Sequence, residues 1–128
     1  MESFNVSTGT RTEFVNITRD VVNCLNNLDI EQGLITVFVP HTTAAITINE
    51  NADPDVMEDV EHTLEKLVPW NAGYRHSEGN AAAHVKATLV GPSVQIVVEG
   101  GRLQLGTWQG IYFCEFDGPR SRKVWVSA

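Results

Sequence analysis

Leu34-Ile35-Thr36-Val37-Phe38-Val39 is the stretch that most restricts the fold. A strand with one wet face alternates apolar and polar residues, and this run does not. Nearly continuous in apolar and β-branched or aromatic residues, it predicts a strand covered on both faces. The rest of the chain has to supply those layers.

Two short β-like runs, Ser3–Ser7 and Thr12–Ile17, flank Thr8-Gly9-Thr10 and predict an N-terminal hairpin. The period then changes. Val21, Val22, Cys24, Leu25 and Leu28 recur at helical spacing, with Thr18 placed to cap and Gly33 placed to stop the helix. Ala44–Asn49 alternates and reads as a second strand. Asp53-Pro54 opens a helix whose buried stripe is Val56, Met57, Val60, Leu64 and Leu67, ended by Pro69. Trp70–Glu78 has no period and reads as a long connection. Ala81–Leu89 is a short helix carrying His84 and is stopped by Gly91-Pro92. A β meander follows: Ser93–Val98, a turn at Glu99-Gly100-Gly101, Thr107–Phe116, a turn at Asp117-Gly118-Pro119, and Arg122–Val126. The expected architecture is α+β. One compact domain spans residues 1–128, with antiparallel-rich sheets in a sandwich-like arrangement, two main helices and one short one.

A net charge of −7 argues against general binding to nucleic acid or an anionic membrane, since both demand a basic surface. No apolar run approaches the roughly 20 residues of a membrane helix, and Met1 begins no signal-like segment, so the expectation is a cytoplasmic protein. Cys24 and Cys114 lie in apolar patterns and read as core residues of a reducing compartment.

The chemistry concentrates in Pro40–Asp53, which holds an imidazole, hydroxyls, amides and carboxylates between an apolar strand and a patterned helix. His41 ends the strand, His76 lies in the long connection, and His84 is on the short helix. Three imidazoles from three elements can converge on a metal, although their spacing fits no short zinc signature. His62 falls among acids mid-helix and reads as solvated. Glu50, Asp53 and Asp55 are candidate ligands for a hard cation such as Mg²⁺. Helix capping explains Asp53 locally and the helix dipole explains Asp55, whereas Glu50 has no such local cause. Among the arginines Arg75, Arg102, Arg120 and Arg122, a planar fork could grip phosphate. Thr42 and Thr43 could donate to an anion. Gly106-Thr107-Trp108-Gln109-Gly110 offers a flat platform for a ring, or a Trp packed in the core.

These residues fall into a longer pattern: His41-Thr42-Thr43-Ala44, Asn49-Glu50-Asn51-Ala52-Asp53, His76 with Glu78-Gly79-Asn80 leading to Ala83-His84, and Ser93-x-x-Ile96-x-Val98-x-x-Gly101-x4-Gly106-Thr107-Trp108-Gln109-x-Ile111. In this the chain resembles the YjbQ family, described as secondary thiamine-phosphate synthases, from about residue 3 to the C-terminus. The resemblance implies a compact α+β homotrimer and a polar pocket containing His41, His76 and His84. It further implies an activity joining a hydroxymethylpyrimidine diphosphate to a thiazole phosphate with release of pyrophosphate. Members often carry a polar residue before the second site histidine; here Ala81-Ala82-Ala83 is bare.

The first expectation is therefore a transferase for small phosphorylated heterocycles, assisted by a divalent metal, Mg²⁺ or Zn²⁺. His41, His76 and His84 would ligate the metal or assist the leaving group, with Glu50 and Asp53 as catalytic carboxylates. Thr42, Thr43, Asn49, Asn51, Arg120, Arg122, Trp108 and Gln109 would bind substrate and phosphate. The rival expectations are a metal-dependent phosphate-ester hydrolase and a non-catalytic metabolite-binding trimer.

Overall fold

The apolar run becomes β3 (Gln32–Phe38), the middle strand of a five-stranded antiparallel sheet in the computed structural model, which describes residues 1–128. The sheet runs β1 (Glu2–Ser7), β8 (Ser121–Ser127), β3, β5 (Ser93–Glu99) and β6 (Arg102–Leu103). A second sheet of three strands runs β2 (Glu13–Asn16), β7 (Gln109–Glu115) and β4 (Ala44–Glu50). Ile35 and Val37, with Val39 just beyond, pack with Ile46, Ile111 and Phe113 of the second sheet and close the core between the two. Helices α2 (Pro54–Leu67) and α3 (Ala81–Val90) cover the far side of the three-stranded sheet, and α1 (Thr18–Leu28) packs at one end of the sandwich. The expected α+β sandwich of antiparallel sheets with three helices is the fold observed.

Only one face of β3 is covered. Leu34 is 52% exposed, its cross-strand neighbour Val97 on β5 is also 52% exposed, and Phe38 stacks on Trp125 with ring centroids 5.8 Å apart at the surface. The two-sided apolar pattern of the run is thus half explained by the single chain.

Strand pairing departs from the sequence reading in two places. Residues 3–17 do not form a hairpin: β1 pairs with β8 and β2 with β7, so the chain crosses between sheets at Thr8–Thr12. The C-terminal strands are a meander only at the turn Glu99-Gly100-Gly101, where β5 doubles back onto β6; β7 and β8 pair with strands distant in sequence. Alternation fixes which face a strand buries and leaves its partner undetermined.

The helix ends follow the sequence signals in part. Asp53 Oδ1 accepts the Asp55 N–H at 3.0 Å, and Pro54 takes the first helical position, as expected. Asp53→Ala should lower stability by about 1 kcal/mol in urea unfolding, because that orphan amide loses its acceptor. Thr18 is not a cap. Its N–H is taken by Asn16 Oδ1, and its hydroxyl accepts the Ile111 N–H at 2.9 Å, tying α1 to β7. Nor does Gly33 stop α1. Asp29 does so in a left-handed conformation (φ 54°), and Gly33 lies within β3. The α2 stripe is only partly buried: Met57 is covered and Leu67 is 69% exposed. What pins α2 is an ion pair from the buried Lys86 on α3 to Glu65.

Candidate functional site

The loop between β3 and β4 carries His41 and Thr42 to the N-terminal end of β4, where α3 packs through Ala83 and Ala87 on Ala45, Cys114 and Phe116. Small residues let the helix sit close, and one turn along it His84 and Thr88 reach the same edge. The result is a cleft of about 360 Å³ lined by His41, Thr42, Ala44, His84, Ala87, Thr88 and Pro92. No carboxylate lines it, in a chain of net charge −7. Thr88, whose hydroxyl donates to the His84 carbonyl at 2.9 Å, escaped the sequence reading. Its spacing of four from His84 on a helix was the available signal.

His76 joins from the long connection. Its ring meets that of His84 edge-to-face, centroids 5.3 Å apart, and its Nε2 lies 3.8 Å from Glu78 Oε2. A smaller hollow of about 210 Å³ beside it is lined by Trp70–Tyr74, His76, Gly79 and Ala81.

His41 is held differently. Its Nε2 accepts the backbone N–H of Lys123 at 2.9 Å, so the neutral ring carries its proton on Nδ1. Burial, then the nearby Arg122 guanidinium, lowers its pKa from the ordinary imidazole value and favours that neutral form. With Nε2 engaged, His41 is a hydrogen-bond donor at Nδ1 rather than the third imidazole of a metal centre. No three His, Cys, Asp or Glu side chains in the chain are arranged to hold an ion. A single chain therefore does not assemble the expected three-histidine metal site.

Beneath the cleft lies a buried polar network that the sequence did not announce. Arg122, expected at a phosphate, is 4% exposed and forks onto Glu115, donating from Nε to Oε1 at 2.9 Å and from Nη2 to Oε2. The same Nη2 donates to Thr43 Oγ1 at 2.9 Å, and Thr8 Oγ1 donates to Glu115 Oε1 at 2.8 Å. Burial pushes Glu115 upward, but hydrogen bonds from Arg122, Thr8 and the Asp117 amide, with the guanidinium charge, hold its carboxyl below the usual range. Arg122 and Thr43 thus brace the His41 loop from inside. Arg120, also expected at a phosphate, bonds Asp117 at 2.7 Å and is half exposed.

The remaining candidates sit at the other end of β4. Asn49 accepts the Glu50 N–H on its own side chain, and Asn51 Nδ2 donates to the Gln109 carbonyl at 3.4 Å. Tyr112 donates its hydroxyl to the Glu50 carbonyl. Gln109 Oε1 accepts the Gly106 N–H at 2.8 Å, closing the turn that presents Trp108. Trp108 is 61% exposed and is not a core residue. Six residue steps along β4 separate Ala44 from Glu50, roughly 20 Å at a strand's rise. The histidines and the Glu50–Asp53 carboxylates are therefore apart within one chain.

The sequence and fold recur in known proteins. A family model for UPF0047 protein YjbQ-like sequences matches residues 2–128. UPF0047 protein YugU of Bacillus subtilis is 50% identical, covering 98% of this chain and 96% of its own. The UPF0047 protein of Archaeoglobus fulgidus is 49% identical, over 96% of each chain. Among solved structures, a YjbQ/UPF0047 protein of Clostridium acetobutylicum superposes with a TM-score of 0.97 at 50% identity, covering 99% of this chain and 98% of that one. A conserved hypothetical protein of Thermus thermophilus gives 0.92 at 44% identity, with 99% and 98% covered. With sequence matched end to end and the fold superposed, this chain belongs to the YjbQ-like UPF0047 family.

Proposed function

We propose that the chain is a transferase for small phosphorylated heterocycles, of the thiamine-phosphate synthase kind. It would act on a pyrimidine carrying a methylene diphosphate and a thiazole phosphate. The supporting observation is the acid-free cleft: two imidazoles and two hydroxyls on its wall, in a strongly acidic chain, suit an anionic group.

In the reaction the thiazole nitrogen gives its electron pair to the methylene carbon. The carbon–oxygen bond to the diphosphate breaks, and pyrophosphate leaves with the electron pair of that bond. No oxidant or reductant is needed. What such a step requires is donors aimed at the oxygens where charge accumulates. His41 Nδ1–H, braced through its Lys123 contact, and the Thr42 hydroxyl would supply them, with the His84 ring beside them. A divalent ion, Mg²⁺ or Zn²⁺, carried on the diphosphate would add charge stabilisation at those oxygens, although within one chain no three His, Cys, Asp or Glu side chains gather to hold it. The reading includes a cytoplasmic homotrimer, and the uncovered apolar face of the five-stranded sheet favours self-association.

Incubation with both heterocycles, followed by mass spectrometry of the joined product and assay of pyrophosphate, tests the reading. Wild-type protein should couple them. His84→Ala should reduce the rate by about 10²-fold or more if its ring assists the leaving group. Absence of coupling at stoichiometric protein would reject it. Phosphate or pyrophosphate release without the thiazole would select a hydrolase instead.

A further inference from the structure

We propose that the hollow beside His76 is a ring subsite. It takes the uncharged nitrogen heterocycle of a ligand whose diphosphate lies in the His41–His84 cleft, in the transferase reading the pyrimidine. The proposal rests on that reading of the cleft as the seat of the anion.

Hollow and cleft are immediate neighbours. His76 lines the one and His84 the other, and their rings meet edge-to-face with centroids 5.3 Å apart. One pair of imidazoles is therefore the partition between the two chambers. At about 210 Å³ the hollow falls below the roughly 300 Å³ at which sites for whole small molecules begin, so it suits one ring of a larger ligand. Its lining matches a ring without charge. Trp70 and Tyr74 bring aromatic faces, Ala81 at the start of α3 leaves room, and no carboxylate, lysine or arginine is present. Asn71 adds an amide, donor and acceptor together, for the nitrogens at a heterocycle's edge.

The loop holds this shape before a ligand arrives. Tyr74 donates its hydroxyl to the Pro69 carbonyl at 2.6 Å, folding the segment back through Gly73 in a left-handed conformation (φ 69°). The Arg11 guanidinium lies 4.1 Å from the centre of the Trp70 ring, which also packs on the cluster of Ala45, Ala83 and Phe116. A chamber set in advance loses less ordering free energy on binding. Ligand geometry then assigns the occupant. In the diphosphate substrate one methylene carbon joins ring to leaving group. With the ring in the hollow and the diphosphate in the cleft, that carbon lies at the His76–His84 partition. The thiazole nitrogen must reach the carbon while the diphosphate still occupies the cleft, so it needs an approach of its own and leaves the hollow to the pyrimidine.

Two fragments test the chambers separately: inorganic pyrophosphate, and the same pyrimidine bearing a plain methyl group in place of the methylene diphosphate. Calorimetry and ligand-observed NMR follow each. The wild type should bind both at once, neither displacing the other, with nuclear Overhauser contacts from the pyrimidine to the Trp70 and Tyr74 rings. Ala81→Leu, which fills the hollow from its α3 side, should weaken the pyrimidine about tenfold or more. Pyrophosphate should stay within about twofold, since Ala81 does not line the cleft. Asn71→Ala, on the exposed loop, should weaken the pyrimidine about fivefold with an unchanged circular dichroism spectrum. That variant keeps the test decisive should Ala81→Leu fail to fold. Pyrophosphate binding without the pyrimidine, mutual displacement, or equal loss of both fragments in the variants would overturn the subsite and leave the cleft standing. A wild type that binds no pyrophosphate would overturn the cleft reading and the subsite with it. Both fragments bound by a wild type that does not couple would keep the subsite and reject the transferase chemistry.

Discussion

Arg122→Met is expected to destabilise the fold by about 3–5 kcal/mol, because it strands a carboxylate with no exposed surface. Glu115 keeps Thr8 and the Asp117 amide as donors but loses its fork and its counter-charge. The loss should appear as a lower urea midpoint at pH 7 with an unchanged slope. Its pH dependence separates the ion pair from simple packing. In the wild type, Glu115 has a folded pKa below its unfolded value. Its contribution is thus present above the unfolded value and disappears as pH falls through the folded one. In Arg122→Met the guanidinium's lowering is gone, and burial, the largest cause, raises the folded pKa against the Thr8 and Asp117 donors alone, so acidification weakens the variant less than the wild type. The gap between them should narrow towards pH 4. Arg122→Met combined with Glu115→Leu should recover most of the loss, since a buried pair replaced as a unit by apolar groups is often neutral. A single-variant loss below about 1 kcal/mol would show that solvent reaches this network.

Gly118→Ala should be nearly as damaging, at about 3 kcal/mol, the upper end for forcing extra volume into a packed site. An added methyl would meet the Thr10 carbonyl oxygen, Thr8 Oγ1 at 2.8 Å and Glu115 Cγ at 2.9 Å. The first is backbone at the crossing between sheets, and the other two belong to the Glu115 network, so none yields by a rotamer change. The Gly118 N–H also donates to the Arg11 carbonyl at 3.0 Å, fixing the approach from the other side. Gly106→Ala is the matched control. Its methyl meets only the flexible Gln109 side chain, at 3.3 Å, and should change thermal stability little. Equal effects of the two would mean the turn at Gly118 is looser than drawn.

Elements and chemistry were legible in the sequence to different depths. The β3 run, the α2 start at Asp53-Pro54 and the α3 helix carrying His84 follow from local composition, and they formed nearly where expected. Pairing did not, because β1 and β2 are neighbours in sequence that alternation alone cannot assign to one sheet or two. The imidazoles were recognisable as chemistry; their grouping was not. Glu50 is nine residues from His41 and looks adjacent on the page, but an extended strand converts that spacing into distance. Arg122 shows the opposite failure. Nothing local reveals that Glu115, seven residues earlier, will be drawn inside and take the guanidinium with it.

The order of strands also sets a timetable. β1 lies at an edge and pairs with β8 alone, so the first strand made has the last as its only backbone partner. Until residues 121–127 leave the ribosome, its amides and carbonyls stay open to water or to another chain. The five-stranded sheet is therefore closed late, by the slow, non-local kind of contact. The same seam makes the two ends of the chain neighbours. Joined there and opened at an exposed loop elsewhere, the polypeptide would keep every strand pair while the first segment made would find its partner early.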